Sequence, residues 1–306
     1  MKKLSLAFAV VSVFFLSCNN KSAETSSNAL LAKDVSVVDW IEFQNTDTPE
    51  WLAGFKWEEF RTFVFKEIME GRRQAFMRDD TLSVQDMKER LGMRIDTFFL
   101  DAENKNYETK VKEIDYSEID ALYFKEKWLF DSKTFNFEKK IESWSPVRTY
   151  FRDDDTLKTE ARFILPCMFE QDLNAKAEKI IASDITHIFE LKSDKQLDRT
   201  GFDKTIFFEF ILENIKSGKL KTYDPIYLVD KSKREFSVQQ LKTFAGTELD
   251  IETFSQEVKK FIFVEDWYFN EKTFEMSKKV KAMAFVADRS GEEGWESKIM
   301  FCLMFE

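Results

Sequence analysis

The sequence predicts an α+β fold made of two tandem related domains, each a small antiparallel β-meander covered by two helices. Three observations carry this expectation. A ribbon, "EKWLFDSKTFNFEKKI" (Glu126–Ile141), returns as "EDWYFNEKTFEMSKKV" (Glu265–Val280), with half of the aligned positions identical. Matching segments flank both ribbons in the same order, while the spacing between partners drifts from 147 (Gly71 and Gly218) to 154 (Gly92 and Gly246), 139 (Trp128 and Trp267) and 136 (Met168 and Met304). Kept order with changed loop lengths is the mark of a duplicated domain. Within each copy, helical spacing of apolar residues gives way to strict alternation.

Residues 1–17 read as a bacterial lipoprotein signal peptide. Lys2 and Lys3 precede an apolar stretch, Leu4 to Leu16, that is too short to span a bilayer. Leu16-Ser17-Cys18 fits a lipobox, which makes Cys18 the lipid attachment residue. Residues 18–33 are small and polar, as a flexible tether from the membrane would be. Loss of Lys2 and Lys3 with the signal takes the net charge from −10 to −12. That balance disfavours nucleic acid as a partner.

The first copy is assigned residues 34–170. "WIEF" (Trp40–Phe43) opens it as a strand. Phe60, Phe63 and Val64 lie at helical spacing, and Gly71 stands where a C-cap belongs. Ser83 and Asp86 have the spacing of a capping box for a second helix that Gly92 ends. In the ribbon, Trp128 and Phe130 share one strand face, and Phe135, Phe137 and Ile141 alternate with Asn136, Glu138 and Lys140. "DSKT" is the turn between two strands, and "ARFILPCMFE" closes the meander, with Pro166 marking an edge or a bulge. Residues 171–180 are assigned to a linker helix, and the second copy to 181–306. There "IFEL" (Ile188–Leu191), Phe207, Phe210, Ile211, Gly218, Ser237, Gln240 and Gly246 repeat the pattern.

The ribbon and its flanks, "YFKEKWLFD…FNFEKKIESWSPVRTYFRDDD…ARFILPCMFEQDL", resemble the GldN/PorN family of gliding motility and type IX secretion proteins. Glu126, Trp128, Phe130, Asp131, Pro146, Val147, Asp153–Asp155, Pro166, Asp172 and Leu173 match that family's ribbon, acidic loop and closing strand. The closing element, Pro166 to Glu170, lacks the family's Trp. The resemblance implies a divergent, lipid-anchored tandem paralogue. It further implies a partner lipoprotein and other proteins of a periplasmic secretion ring, and a place in the cell envelope at the outer membrane, facing the periplasm.

No residue pattern names a reaction, a metal or a cofactor. His187, the one histidine, sits in a predicted strand whose counterpart in copy one falls near Asp39, with no nucleophile motif beside it. "RDDDT" (Arg152–Thr156) and "DRSGEEG" (Asp288–Gly294) are acidic but lack EF-hand ligand spacing. Cys167 and Cys302 align to opposite strand faces, which favours two separate buried thiols over a disulfide. Trp128, Phe130, Trp267 and Phe269 have two readings, an interface hot spot or core. The function expected is a non-enzymatic adaptor or structural lipoprotein acting through protein–protein contacts. The competing readings are a stand-alone lipoprotein that binds a peptide or glycan, and an enzyme with an unrecognised site.

Overall fold

The computed structural model describes residues 37–43, 55–77, 80–100, 106–151, 160–164, 169–170, 179–191, 204–230, 233–237, 241, 248–291 and 294–305. In the first half, strand β1 (Val37–Glu42) precedes helix α1 (Trp57–Met69) and the short strands β2 (Ala75–Met77) and β3 (Asp80–Leu82). Helix α2 (Val84–Arg90) follows, then β4 (Arg94–Phe99), β5 (Tyr107–Lys112), β6 (Ile119–Phe130), β7 (Phe137–Phe151), β8 (Glu160–Ile164) and β9 (Phe169–Glu170). The second half carries β10 (Lys179–Glu190), α3 (Lys204–Lys216), β11 (Thr222–Tyr223), α4 (Tyr227–Asp230) and β12 (Glu235–Phe236). It ends with α5 (Ile251–Glu257), β13 (Val258–Phe269), β14 (Met276–Gly291) and β15 (Gly294–Met304).

Local chemistry explains these elements. Helix α1 buries Phe60, Val64, Phe65 and Ile68, one face at helical spacing. Gly71 and Gly218 end the corresponding helices α1 and α3 at φ +70° and +73°. Ser83 and Asp86 form the expected capping box on α2. The expected turns close both ribbons: Asp131 accepts from the backbone N–H groups of Lys133 and Thr134, and Asn270 does the same for Lys272 and Thr273. Ser237 is at the edge of the described residues, and Gln240, Gly246, Pro166 and the loop 152–156 lie outside them.

Two expectations are corrected. The first is a separate sheet in each half. Among the described residues, β1, β6–β9 and β10–β15 form one 11-stranded sheet, with antiparallel pairing throughout. The halves join where β7 meets β14, with Lys139 opposite Lys278. The reason lies in the edges. Among the described residues the pairing of β9 with β7 begins at Ser143, and that of β15 with β14 begins at Ala282. Among the described residues no third strand reaches the starts of β7 and β14, and there the two strands meet each other.

The second correction concerns only the last two residues assigned to the linker helix, Lys179 and Ile180. They belong to β10, which pairs with β13, and residues 171–178 lie outside the described set. β-branched and aromatic residues from Ile180 to Phe189 favour the extended chain.

The side chains exchange as well as the strands. Trp128, Phe130 and Phe137 of the first half lie in one core with Phe207, Phe208 and Ile211 of the second. Trp267, Phe269, Phe274 and Met276 of the second half lie in a core with Phe60, Val64 and Phe65 of the first. The contacts correspond pair by pair. Phe130 meets Phe207 at 5.5 Å, and Phe269 meets Phe60 at 5.0 Å. Phe135 meets Phe210 at 6.1 Å, and Phe274 meets Phe63 at 5.8 Å. Trp128 meets Phe263 at 5.3 Å, and Trp267 meets Phe124 at 5.6 Å. The halves thus obey a local two-fold relation about the Lys139–Lys278 pair, and each ribbon completes the core of the other half.

One insertion breaks the relation. Gly92 and Ile119 bracket the hairpin β4–β5 in the first half, whereas Gly246 and Val258 are far closer in sequence. That hairpin is a two-stranded sheet of its own. Among the described residues no helix is long and apolar enough to cross a membrane.

Candidate functional site

The site stands where the two ribbons cross. In β6 the pairing with β7 shifts between Lys125 and Glu126, and in β13 the pairing with β14 shifts between Val264 and Glu265. The extra residue lies on the facing strand, Glu142 in β7 and Lys281 in β14, at the same place in both copies. Strand alternation puts Glu126 and Glu265 on the inward face with the tryptophans two residues on. Trp128 Nε1–H donates to Glu126 Oε2 at 2.8 Å, and Trp267 Nε1–H donates to Glu265 Oε2 at 2.9 Å.

The facing strands supply two lysines. Lys139 lies between Phe137 and Ile141 on the inward face of β7, and Lys278 lies between Met276 and Val280 on that of β14. Each reaches the carboxylate of the other half. Lys139 Nζ is 2.6 Å from Glu265 Oε1, and Lys278 Nζ is 2.5 Å from Glu126 Oε1. The contact inside the first half is looser, with Lys139 Nζ 4.0 Å from Glu126 Oε2. Each ammonium also rests on aromatic faces: Lys139 is 3.5 Å from the centroid of Phe263, and Lys278 is 3.6 Å from that of Phe124. All four charged side chains have no solvent exposure.

The energetics follow from burial. Two carboxylates and two ammoniums balance formally, so the quartet carries no net charge. Desolvating four ions costs several kcal/mol each, and mutual attraction returns that only in good geometry. The quartet therefore adds less to net stability than to selectivity. Any pairing that fails to bring both ribbons together in this register strands a buried charge. What the arrangement does chemically is clamp the halves in one orientation.

His187 of β10 lies beside the clamp. Its ring stacks on Phe263 with centroids 5.5 Å apart, and Nδ1 is 3.7 Å from Glu265 Oε2. Its backbone faces Phe263, as Asp39 faces Phe124 in the first half, which matches the expected correspondence.

The four candidate interface residues are all interior. Trp128, Phe130, Trp267 and Phe269 lie at the contact of the two halves, so the surface they dock on, within this chain, belongs to the other copy. Cys302 is a buried free thiol whose pKa burial pushes up to about 12, while Cys18 and Cys167 lie outside the described residues. Asp288 of the second acidic loop is held by Lys260 and Ser297. Burial works to raise its pKa, and those two partners outweigh it and lower it.

The quartet was missed in the sequence, although a signal for it exists. Lys139 falls in phase with Phe137 and Ile141 rather than with the polar Glu138 and Lys140, and Glu126 falls in phase with Trp128 and Phe130. All four charges are among the positions identical between the ribbons.

Comparison with curated proteins returns no match. The family model described as gliding motility associated protein GldN matches residues 40–167 and 189–306. These two segments correspond to the two halves that the clamp joins and cover most of the sequence, so the chain belongs to the GldN family, which ties it to gliding motility and type IX secretion.

Proposed function

We propose that the chain is a non-enzymatic, lipid-anchored structural or adaptor component of a gliding motility and type IX secretion complex. In this reading it acts through protein–protein contacts with other ring proteins, a ring lipoprotein among them. Cys18 carries the lipid, at the outer membrane facing the periplasm. Residues 34–170 and 181–306 are the two copies of the unit. The observation that carries the reading is the pair of family-matching segments held together by reciprocal Lys139–Glu265 and Lys278–Glu126 contacts. A clamp of that kind fixes two related outer faces at a constant angle, which suits a part that bridges neighbouring subunits of an assembly.

Affinity purification from crosslinked native envelopes, followed by mass spectrometry, tests the proposal. Recovery of secretion or motility ring proteins is expected. Recovery of bulk lipoproteins alone would overturn it and would favour a solitary peptide- or glycan-binding lipoprotein. Anchoring has its own test: Cys18→Ala is expected to move the protein from the membrane fraction to the soluble fraction.

A further inference from the structure

The hairpin β4–β5 leaves an apolar face in solvent, and among the described residues no strand pairs with the outer edge of β5. Ile95, Thr97, Phe99, Tyr107, Thr109 and Val111 share one face, and Ile95, Phe99 and Tyr107 are 63%, 59% and 62% exposed. A lone two-stranded hairpin is marginal in water, and a third strand with an apolar face is what stabilises it. The second half has a much shorter segment at the corresponding place, so closure of the fold does not require this hairpin.

The hydrogen-bond phase identifies what the outer edge of β5 offers. Leu100 N–H donates to Asn106 at 2.8 Å, and these two residues lie opposite each other in the register that pairs Phe99 with Tyr107. Bonded pairs alternate along an antiparallel ladder. Asn106, Glu108, Lys110 and Lys112 therefore turn their backbone groups toward β4. Tyr107, Thr109 and Val111 turn theirs outward.

We propose that this edge pairs with the same edge of a second copy of the chain, antiparallel, about a two-fold axis at Thr109. The charges select both the partner and the register. Centred on Thr109, Glu108 faces Lys110 of the partner subunit on both sides of the axis. On the other face Tyr107 meets Val111 of the partner subunit, an aromatic and β-branched pair. Centring on Lys110 or on Glu108 sets like charges directly opposite, which destabilises a sheet. Centring between residues sets apolar faces against polar ones. Of the other registers in this phase, centring on Val111 sets Lys110 against Lys112 of the partner subunit, and centring on Tyr107 gives Glu108 only Asn106 of the partner subunit, so the Thr109 register alone joins backbone phase, apolar face and opposite charges. The outcome is a four-stranded sheet with one continuous apolar face. The other face carries Arg94, Lys110 and Lys112 against Asp96 and Glu108, with the exposed Phe98 among them, and is slightly basic, so the acidic chain is not repelled there.

Sedimentation equilibrium of the full chain tests this. A reversible dimer is expected. Thr109→Pro removes an outward N–H without touching the bonds to β4 and is expected to give monomer. Glu108→Lys and Lys110→Glu are each expected to weaken the dimer by about tenfold, and the double exchange is expected to restore it. Thr109→Cys is expected to form an intermolecular disulfide on mild oxidation, because residues directly opposite lie within disulfide reach. A chain that stays monomeric at every concentration, or a dimer indifferent to Thr109→Pro and to both charge reversals, would overturn the proposal and leave the edge to an unlike strand.

Discussion

At the scale of single residues, the chain places ions and aromatics where burial makes their partners decisive. Lys139→Met leaves Glu265 buried without its counter-charge and is expected to destabilise the fold by about 3–5 kcal/mol in urea unfolding. Phe135 and Phe274 occupy the left-handed region, at φ 56° and 60°, in equivalent ribbon turns. That backbone costs a bulky residue about 1–2 kcal/mol, and the reach of each ring to the helix of the other half offsets it. Gly92 is fixed for two reasons. Its φ is +94°, and a Cβ there would lie 2.3 Å from the Arg148 guanidinium that binds Glu118 and the Arg90 carbonyl. Gly92→Ala is expected to lose more than about 1 kcal/mol by the same measurement.

At the scale of elements, capping carboxylates link the helix starts and turns to pH. Ser83 holds the Asp86 carboxyl below its ordinary range. The backbone N–H of Lys133 does so for Asp131, and that of Thr253 for Asp250. A carboxyl whose pKa is depressed by folding stabilises the fold above its unfolded pKa, and that contribution is lost as pH falls through the folded value. The melting temperature is accordingly expected to fall as pH drops below about 4, and Asp250→Asn is expected to flatten that slope. Burial works to lower the pKa of Lys281, but its hydrogen bonds to Asp184 and Asp266 prevail and raise it. Its stabilisation is complete below the ordinary lysine range and is lost at alkaline pH. Most elements were legible because each carries a local signal: the capping box at Ser83, the C-cap glycines Gly71 and Gly218, and the alternation around Trp128. The junction of β7 and β14 was not legible. Pairing between Lys139 and Lys278 depends on which edge the third strand leaves uncovered, and no local pattern reports that. Lys179 and Ile180 fall outside the linker helix assigned to them because pairing with Phe269 and Tyr268 of β13 draws them into β10.

At the scale of the whole molecule, duplication did not leave two beads on a string. The ribbon occurs twice because each copy fills the core of the other, and the Lys–Glu quartet fixes the exchange. The equivalent surface pairs drifted while the clamp did not. Lys127 and Glu142 bridge in the first half, where Asp266 and Lys281 bridge in the second with the signs exchanged. A shared core predicts one cooperative unfolding transition, so Phe60→Ala in α1 is expected to shift the unfolding of both halves together. The most direct test is a double-mutant cycle between Lys139→Met and Glu265→Gln, read by equilibrium unfolding of the full chain. A coupling free energy above about 2 kcal/mol is expected for contacting buried charges. Strict additivity of the two substitutions would show that the halves do not clamp each other, and the account of the fold would fail with it.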